Sequence, residues 1–171
     1  MKLRIMTYTA VMLAITLAFQ SLRFFPAIAA IPWNNYLIGT LVNFSLLTAT
    51  GAVGLSSGIF ISIATPLVAF LQGYLPFVVF IPVVAAGNAI LCVLFYYVRK
   101  INNYAGGIVA SVVKWMVLSL SVQPVLSWFI TLPPAKLTAL TASFGLPQLI
   151  TALLGSLLAI LLLERLKKHH A

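Results

Sequence analysis

Residues 146–168 read LPQLITALLGSLLAILLLERLKK. Leu146 to Leu163 is continuously apolar, and it ends in Glu164-Arg165-Leu166-Lys167-Lys168. A helix needs roughly 20 apolar residues to cross the hydrocarbon of a bilayer. Barrel strands alternate apolar and polar residues over about ten positions, whereas this run is unbroken and nearly twice as long. In lipid the backbone must satisfy its own hydrogen bonds, so such a run folds as a helix.

Working back along the chain, five more runs of the same kind appear, at 5–22, 36–50, 55–71, 76–98 and 105–130. The first ends at Arg23 and Pro26. Gly51 and Gly54 separate the second from the third, and the second is short enough to predict a tilted or partly buried helix. Gln72-Gly73-Tyr74 turns the chain into the fourth run, which contains Pro82 and Gly87-Asn88. Arg99, Lys100, Asn102 and Asn103 form a polar loop, and the fifth run is interrupted by Lys114 and Gln123-Pro124. A loop with Pro133, Pro134 and Lys136 leads to the sixth. The expected fold is an all-α integral membrane protein, with residues 1–171 forming one domain of six transmembrane helices.

Composition agrees. Of 171 residues 63% are hydrophobic and 6% charged, against about a quarter charged in an ordinary soluble domain. Ten Lys plus Arg face a single acid, Glu164. Such a balance in a soluble protein points to nucleic acid, but here the cations sit mainly at the ends of apolar runs. With the N-terminus inside and six crossings, Lys2, Arg4, Arg99, Lys100, Arg165, Lys167 and Lys168 fall on the inner side, and Arg23 and Lys136 on the outer. This obeys the positive-inside rule, so both termini are expected in the cytoplasm. Met1-Lys2-Leu3-Arg4 leads into apolar sequence with no clear small-residue cleavage site, and is expected to open a retained helix rather than a signal peptide. One cysteine, Cys92, excludes a disulfide framework and a Cys-based metal site.

The polar residues inside the runs carry the functional signal. Lys114, in Ile108-Val109-Ala110-Ser111-Val112-Val113-Lys114-Trp115-Met116-Val117-Leu118, is about ten residues from its helix start. An intramembrane lysine costs several kcal/mol unless paired or hydrated, and marks function by default; the alternative is a side chain snorkelling to the interface. Glu164, at the inner membrane edge, is poorly placed to pair with it. Asn88 either contacts a ligand or ties two helices together, as does Asn43. Gln148 is placed to line the outer half of a cavity. Trp33, Asn34 and Asn35 fall in the first outer loop, Trp33 as an interfacial belt residue or as a lid. Arg23 either attracts an anion or touches lipid headgroups. Ala10, Ala14 and Ala18 put three small side chains on one helix face, which serves either packing within the chain or approach of another helix.

No catalytic constellation can be assembled. One carboxylate cannot make an acid–base pair, His169 and His170 lie in the tail, and no phosphate-binding Gly-Lys-Ser/Thr loop is present. The chain is read as a non-enzyme without cofactor or metal, unable to power transport alone.

Several stretches together resemble the S components of energy-coupling factor (ECF) transporters, the substrate-binding membrane subunits of prokaryotic vitamin importers. They are Ala10-x3-Ala14-x3-Ala18; Gly39-Thr40-Leu41-Val42-Asn43 followed by Gly58 and Thr65-Pro66; Pro82-x4-Gly87-Asn88; and Leu146-Pro147-Gln148-Leu149-x2-Ala152-x2-Gly155. The resemblance covers most of the chain. It implies an outward-facing pocket for a vitamin or vitamin precursor in a prokaryotic plasma membrane. It also implies docking, through the Ala10, Ala14 and Ala18 face, onto a membrane coupling protein that carries two cytoplasmic ATPases. On this reading Asn88, Lys114 and Ser111 contact substrate, with Gln148, Trp33 and Asn34 as further contacts. A lone cation among amides suits a small molecule bearing a carboxylate or carbonyl. The competing readings are a self-contained channel or facilitator and a membrane assembly subunit without a small ligand.

Overall fold

A computed structural model describes residues 2–129 and 133–168. Ile130, the expected end of the fifth run, and His169 and His170 lie outside the described residues. Among the described residues there is no strand; the chain is eight α-helices and a 3-10 turn. They are α1 Lys2–Ser21, the 3-10 turn Leu22–Phe24, α2 Pro26–Ala29, α3 Asn34–Ala52, α4 Leu55–Leu71, α5 Phe80–Val98, α6 Asn103–Phe129, α7 Pro134–Ser143 and α8 Leu146–Lys168.

Each apolar run is a helix, and two short helices lie between them. Both α2 and α7 begin on proline, which suits a first helical turn because the missing N–H is unpaired there anyway. The fourth helix starts only at Phe80, after a turn through Pro76. Pro124 does not interrupt α6, which continues through it to Phe129. Tolerance of proline within a helix is characteristic of membrane segments.

Four helical stretches are long and apolar enough to cross a membrane: Leu3–Phe24, Phe80–Val98, Asn103–Phe129 and Pro134–Lys168. The surface says the same. Leu154, Leu157, Leu158 and Leu161 of α8 all point outward, as do Ile108 and Leu120 of α6. The interior instead holds Thr16, Gln20, Thr40, Asn43, Ser57, Ser62, Asn88 and Lys114. A water-soluble domain does not expose apolar faces of this extent while burying its polar residues. The chain is a multi-pass helical membrane protein.

The apolar α4 has 17 residues. The longer α3 is the polar one, and it occupies the middle of the bundle, packed against α8, α1, α4 and α5. Two of its buried hydroxyls are satisfied locally: Ser45 and Thr50 donate to the carbonyls of Leu41 and Leu46 one turn back. Helix α5 joins α4 to α6, α6 returns to α8, and α7 caps α6 and α8 at one end.

Lipid gives helices no hydrophobic drive to associate, so close packing must hold the bundle. Gly155 marks a crossing at backbone contact: a Cβ there would lie 2.7 Å from Asn43 Cβ and 2.9 Å from both Phe44 N and Thr40 O. At Gly39, on the same interface, it would meet Thr151 at 2.9 Å. Gly73 ends α4 at φ 72°, a left-handed conformation that costs glycine nothing. The turn lets the N–H groups of Tyr74 and Leu75 close on the Ala69 carbonyl.

The two ends of the bundle differ in charge. Asn103 Nδ2 donates to Glu164 Oε1 at 3.1 Å, and Arg99 lies in the notch left by Gly51, beside Leu163. Arg99, Lys100, Arg165, Lys167 and Lys168 therefore gather at one end, the basic end. Arg23 and Lys136 are at the other.

Gly155→Val should destabilise the bundle by about 1–3 kcal/mol, because two of its three close neighbours are backbone atoms. Denaturant titration in detergent micelles measures this, with the outward-facing Leu157→Ala as an unaffected control.

Candidate functional site

Lys114 lies midway along α6, one turn beyond Ala110 and one turn before Leu118. Those two neighbours belong to different apolar clusters. Toward the basic end, Ala110 packs with Leu47, Leu91, Phe95, Ile160 and Leu163. Toward the other end, Leu118 packs with Phe80, Val122, Leu126 and Phe144, the last stacked on Phe80 at 5.1 Å between centroids. Lys114 sits at the seam, 3% exposed.

Its ammonium donates to Asn43 Oδ1 on α3 at 2.6 Å and to Asn88 Oδ1 on α5 at 2.8 Å. Asn43 Nδ2 in turn reaches Thr151 Oγ1 on α8 at 3.4 Å. One side chain thus ties four helices together. Both partners of the lysine are neutral, so its charge is solvated by amide dipoles and is not cancelled. The single acid of the chain is bonded to Asn103 at the basic end.

Above Lys114 a cavity of roughly 310 Å³ opens toward the end that carries Arg23. This is near the lower bound for small-molecule sites, about 300–1,000 Å³. Lys114, Asn43 and Asn88 form its floor, and Ile38, Val42, Ala69, Leu75, Val84 and Phe144 give apolar walls. The mouth is polar. Arg23, in the 3-10 turn after α1, lies 3.3 Å from the centroid of the Tyr74 ring and donates from Nε to the Gln20 carbonyl at 2.8 Å. The Tyr74 hydroxyl donates to Asn35 Oδ1 at the start of α3. Burial pushes that phenol above its usual range, with the nearby guanidinium opposing, so Tyr74 stays a neutral donor at ordinary pH. Gln20 Nε2 donates to Gln72 Oε1 at 3.0 Å, and Gln72 Nε2 to Ser21 Oγ at 3.0 Å.

No family model matches the chain, and no curated protein or solved structure matches it. What the site can do follows from its own residues.

Of the residues singled out in the sequence, Lys114, Asn88 and Gln148 line the cavity, as do Asn43 and Arg23. Ser111 does not; it is buried against α8, donating to the Gly107 carbonyl at 2.7 Å and lying 3.5 Å from Ser156 Oγ. Trp33 is 58% exposed, and Asn34 donates to the Ala29 carbonyl at 3.0 Å; neither lines the cavity. Their neighbours Asn35 and Tyr36 do. Gln20 and Tyr74 were not singled out, because nothing in the sequence joins two residues on α1 and in a distant turn. Ala10, Ala14 and Ala18 are all exposed on α1. They do not pack within the chain.

Losing one partner from a buried charged hydrogen bond costs more than losing both together. Asn43→Leu should therefore destabilise the protein by several kcal/mol, on the order of the 3–5 kcal/mol seen for broken buried pairs. Adding Lys114→Met to it should restore part of that loss. A double-mutant cycle of unfolding free energies checks this, and strict additivity would dissolve the node.

Proposed function

We propose that the chain is the substrate-binding S component of an ECF-type importer. It crosses a prokaryotic plasma membrane six times with both termini in the cytoplasm, and it captures a water-soluble vitamin or precursor from outside. One observation carries the reading: the cavity opens at one end and stops at Lys114. Beneath it Leu47, Leu91, Phe95 and Ile160 are packed to 3% exposure or less, and Leu46, Ile61 and Cys92 are fully buried. A blind, water-facing pocket suits capture. It does not suit conduction.

Two further features support it. The inner side on this reading is the basic end, so the pocket faces outward, in keeping with the charge rule. The Ala10, Ala14 and Ala18 face of α1 looks out of the bundle, where a second helix can approach closely. It would receive the membrane coupling protein, whose two cytoplasmic ATPases supply the energy this chain has no motif to provide.

Two measurements expose the proposal. First, Asn102→Cys should react with a membrane-impermeant maleimide only from inside, and Lys136→Cys only from outside. The one native thiol, Cys92, is buried and contributes no background. Outside labelling at position 102 would reverse the threading. Second, Ala14→Trp should leave the small molecule that co-purifies with the protein bound, as seen by mass spectrometry, while reducing vitamin uptake in cells about 10-fold or more, the cost of roughly 1.4 kcal/mol in docking. Loss of both would show that the alanines serve folding, and solute uptake by liposomes containing this chain alone would replace capture with facilitation.

A further inference from the structure

The floor of the cavity is dominated by hydrogen-bond donors. Lysine has no acceptor, so the ammonium compels both asparagines to turn their oxygens toward it, and Asn43 Oδ1 and Asn88 Oδ1 are thereby used. The Asn43 amide N–H₂ is directed to Thr151. Lys114 has a third N–H, and the amide N–H₂ of Asn88 has no partner among the described residues; both side chains border the cavity. Two donor groups therefore face the cavity at its floor, one of them carrying a charge that no acid cancels. Arg23 repeats the sign at the mouth, where its Nη1 is buried without a hydrogen-bond partner. No Asp or Glu lines the wall between them.

We infer that the cavity is a carboxylate site: an acceptor-only carboxylate head rests on Lys114 and Asn88, and a small apolar body lies along Ile38, Val42, Leu75 and Phe144. The inference rests on the proposed solute-binding role and specifies its substrate class. A cation meets only like charge. A neutral amide offers one carbonyl oxygen, but its N–H₂ then opposes an N–H donor of the floor and the lysine charge stays uncompensated, which is costly in desolvated surroundings. A phosphate has three strong acceptor oxygens and is matched by Arg forks or runs of backbone N–H. One ammonium and one amide fit the two oxygens of a carboxylate.

The test uses matched acid and amide pairs, acetate with acetamide and benzoate with benzamide, together with phenyl phosphate. The full chain is held in nanodiscs of zwitterionic lipid, so that anionic headgroups do not compete. The readout is saturable shifts of the Asn88 and Asn43 side-chain amide signals in NMR titrations. Acids should bind about 30-fold or more tighter than their amides, the low end for a desolvated charged contact. Asn88→Asp places a carboxylate of the protein's own on Lys114. It should abolish the preference for acids while holding or raising thermal stability, so loss of binding cannot be put down to misfolding. Equal binding of amides, tighter binding of phenyl phosphate, or an Asn88→Asp variant that keeps its acid preference would each overturn the carboxylate site and leave solute capture standing. No saturable shift from any probe, acetate included, would sink both.

Discussion

An ammonium held in a membrane bundle by two amide oxygens is the constraint from which the rest of this structure follows. Lys114 uses two of its three N–H donors on the asparagines, and its charge stays whole because Asn43 and Asn88 are neutral. Had either position been acidic, the same geometry would be an ion pair and the helices would be tied equally well. The choice of amides leaves a net positive charge at the foot of an open cavity. Desolvating that charge is costly, and the cost is lowered by whatever negative group enters. The packing and, under the proposed solute-binding role, the recognition are thus set by one interaction, which joins α3, α5 and α6 directly and α8 through Thr151.

The node can form only because α3 and α8 approach to backbone contact. Gly155 faces Asn43 Cβ and the Thr40 carbonyl, and Gly39 faces Thr151. Larger residues would push the helices apart and withdraw Asn43 from the lysine. The polarity of α3 follows from the same placement. A helix carrying Thr40, Asn43, Ser45, Thr48 and Thr50 on its buried side is expensive next to lipid, and here it is wrapped by four others. Ser45 and Thr50 return their hydroxyls to the backbone a turn earlier, and Asn43 gives its amide oxygen to the lysine.

Much of this was legible in the chain. The apolar runs mark the main helices because length and continuity reflect bilayer thickness directly. Lys114 stood out because no ordinary packing role explains a charge in that position. What escaped notice depended on register. Ser111 precedes Lys114 by three positions, which sets it nearly a turn closer to the basic end, below the cavity floor and beside Ser156 of α8. At the start of α3, the first turn decides that Asn35 and Tyr36 border the cavity mouth while Trp33 and Asn34 do not. The helices α2 and α7 are too short to leave a periodic signal, and proline in a loop reads as a breaker although at a first turn it begins a helix. Asn43 was visible as a polar residue in an apolar run, but its role needed a partner 71 positions away.

The mouth of the cavity is organised by different rules. Only Thr16 and Gln20 of α1 are among the buried polar residues, and α1 packs on α3 and α4 without entering the Lys114 node. Its C-terminal end is instead held by polar bridges, Gln20 to Gln72, Gln72 to Ser21, and Arg23 over Tyr74. Such bonds are individually worth about 1 kcal/mol, and they span α1 and the turn after α4. The helix that carries the outward alanine face therefore leads directly into the turn that carries the cation at the cavity entrance. A displacement of α1 can break the Arg23–Tyr74 contact and widen the mouth while Lys114, Asn43 and Asn88 keep their places. Under the proposed docking role, a partner seated on Ala10, Ala14 and Ala18 would act on the entrance through a rigid helix and would leave the floor of the site intact.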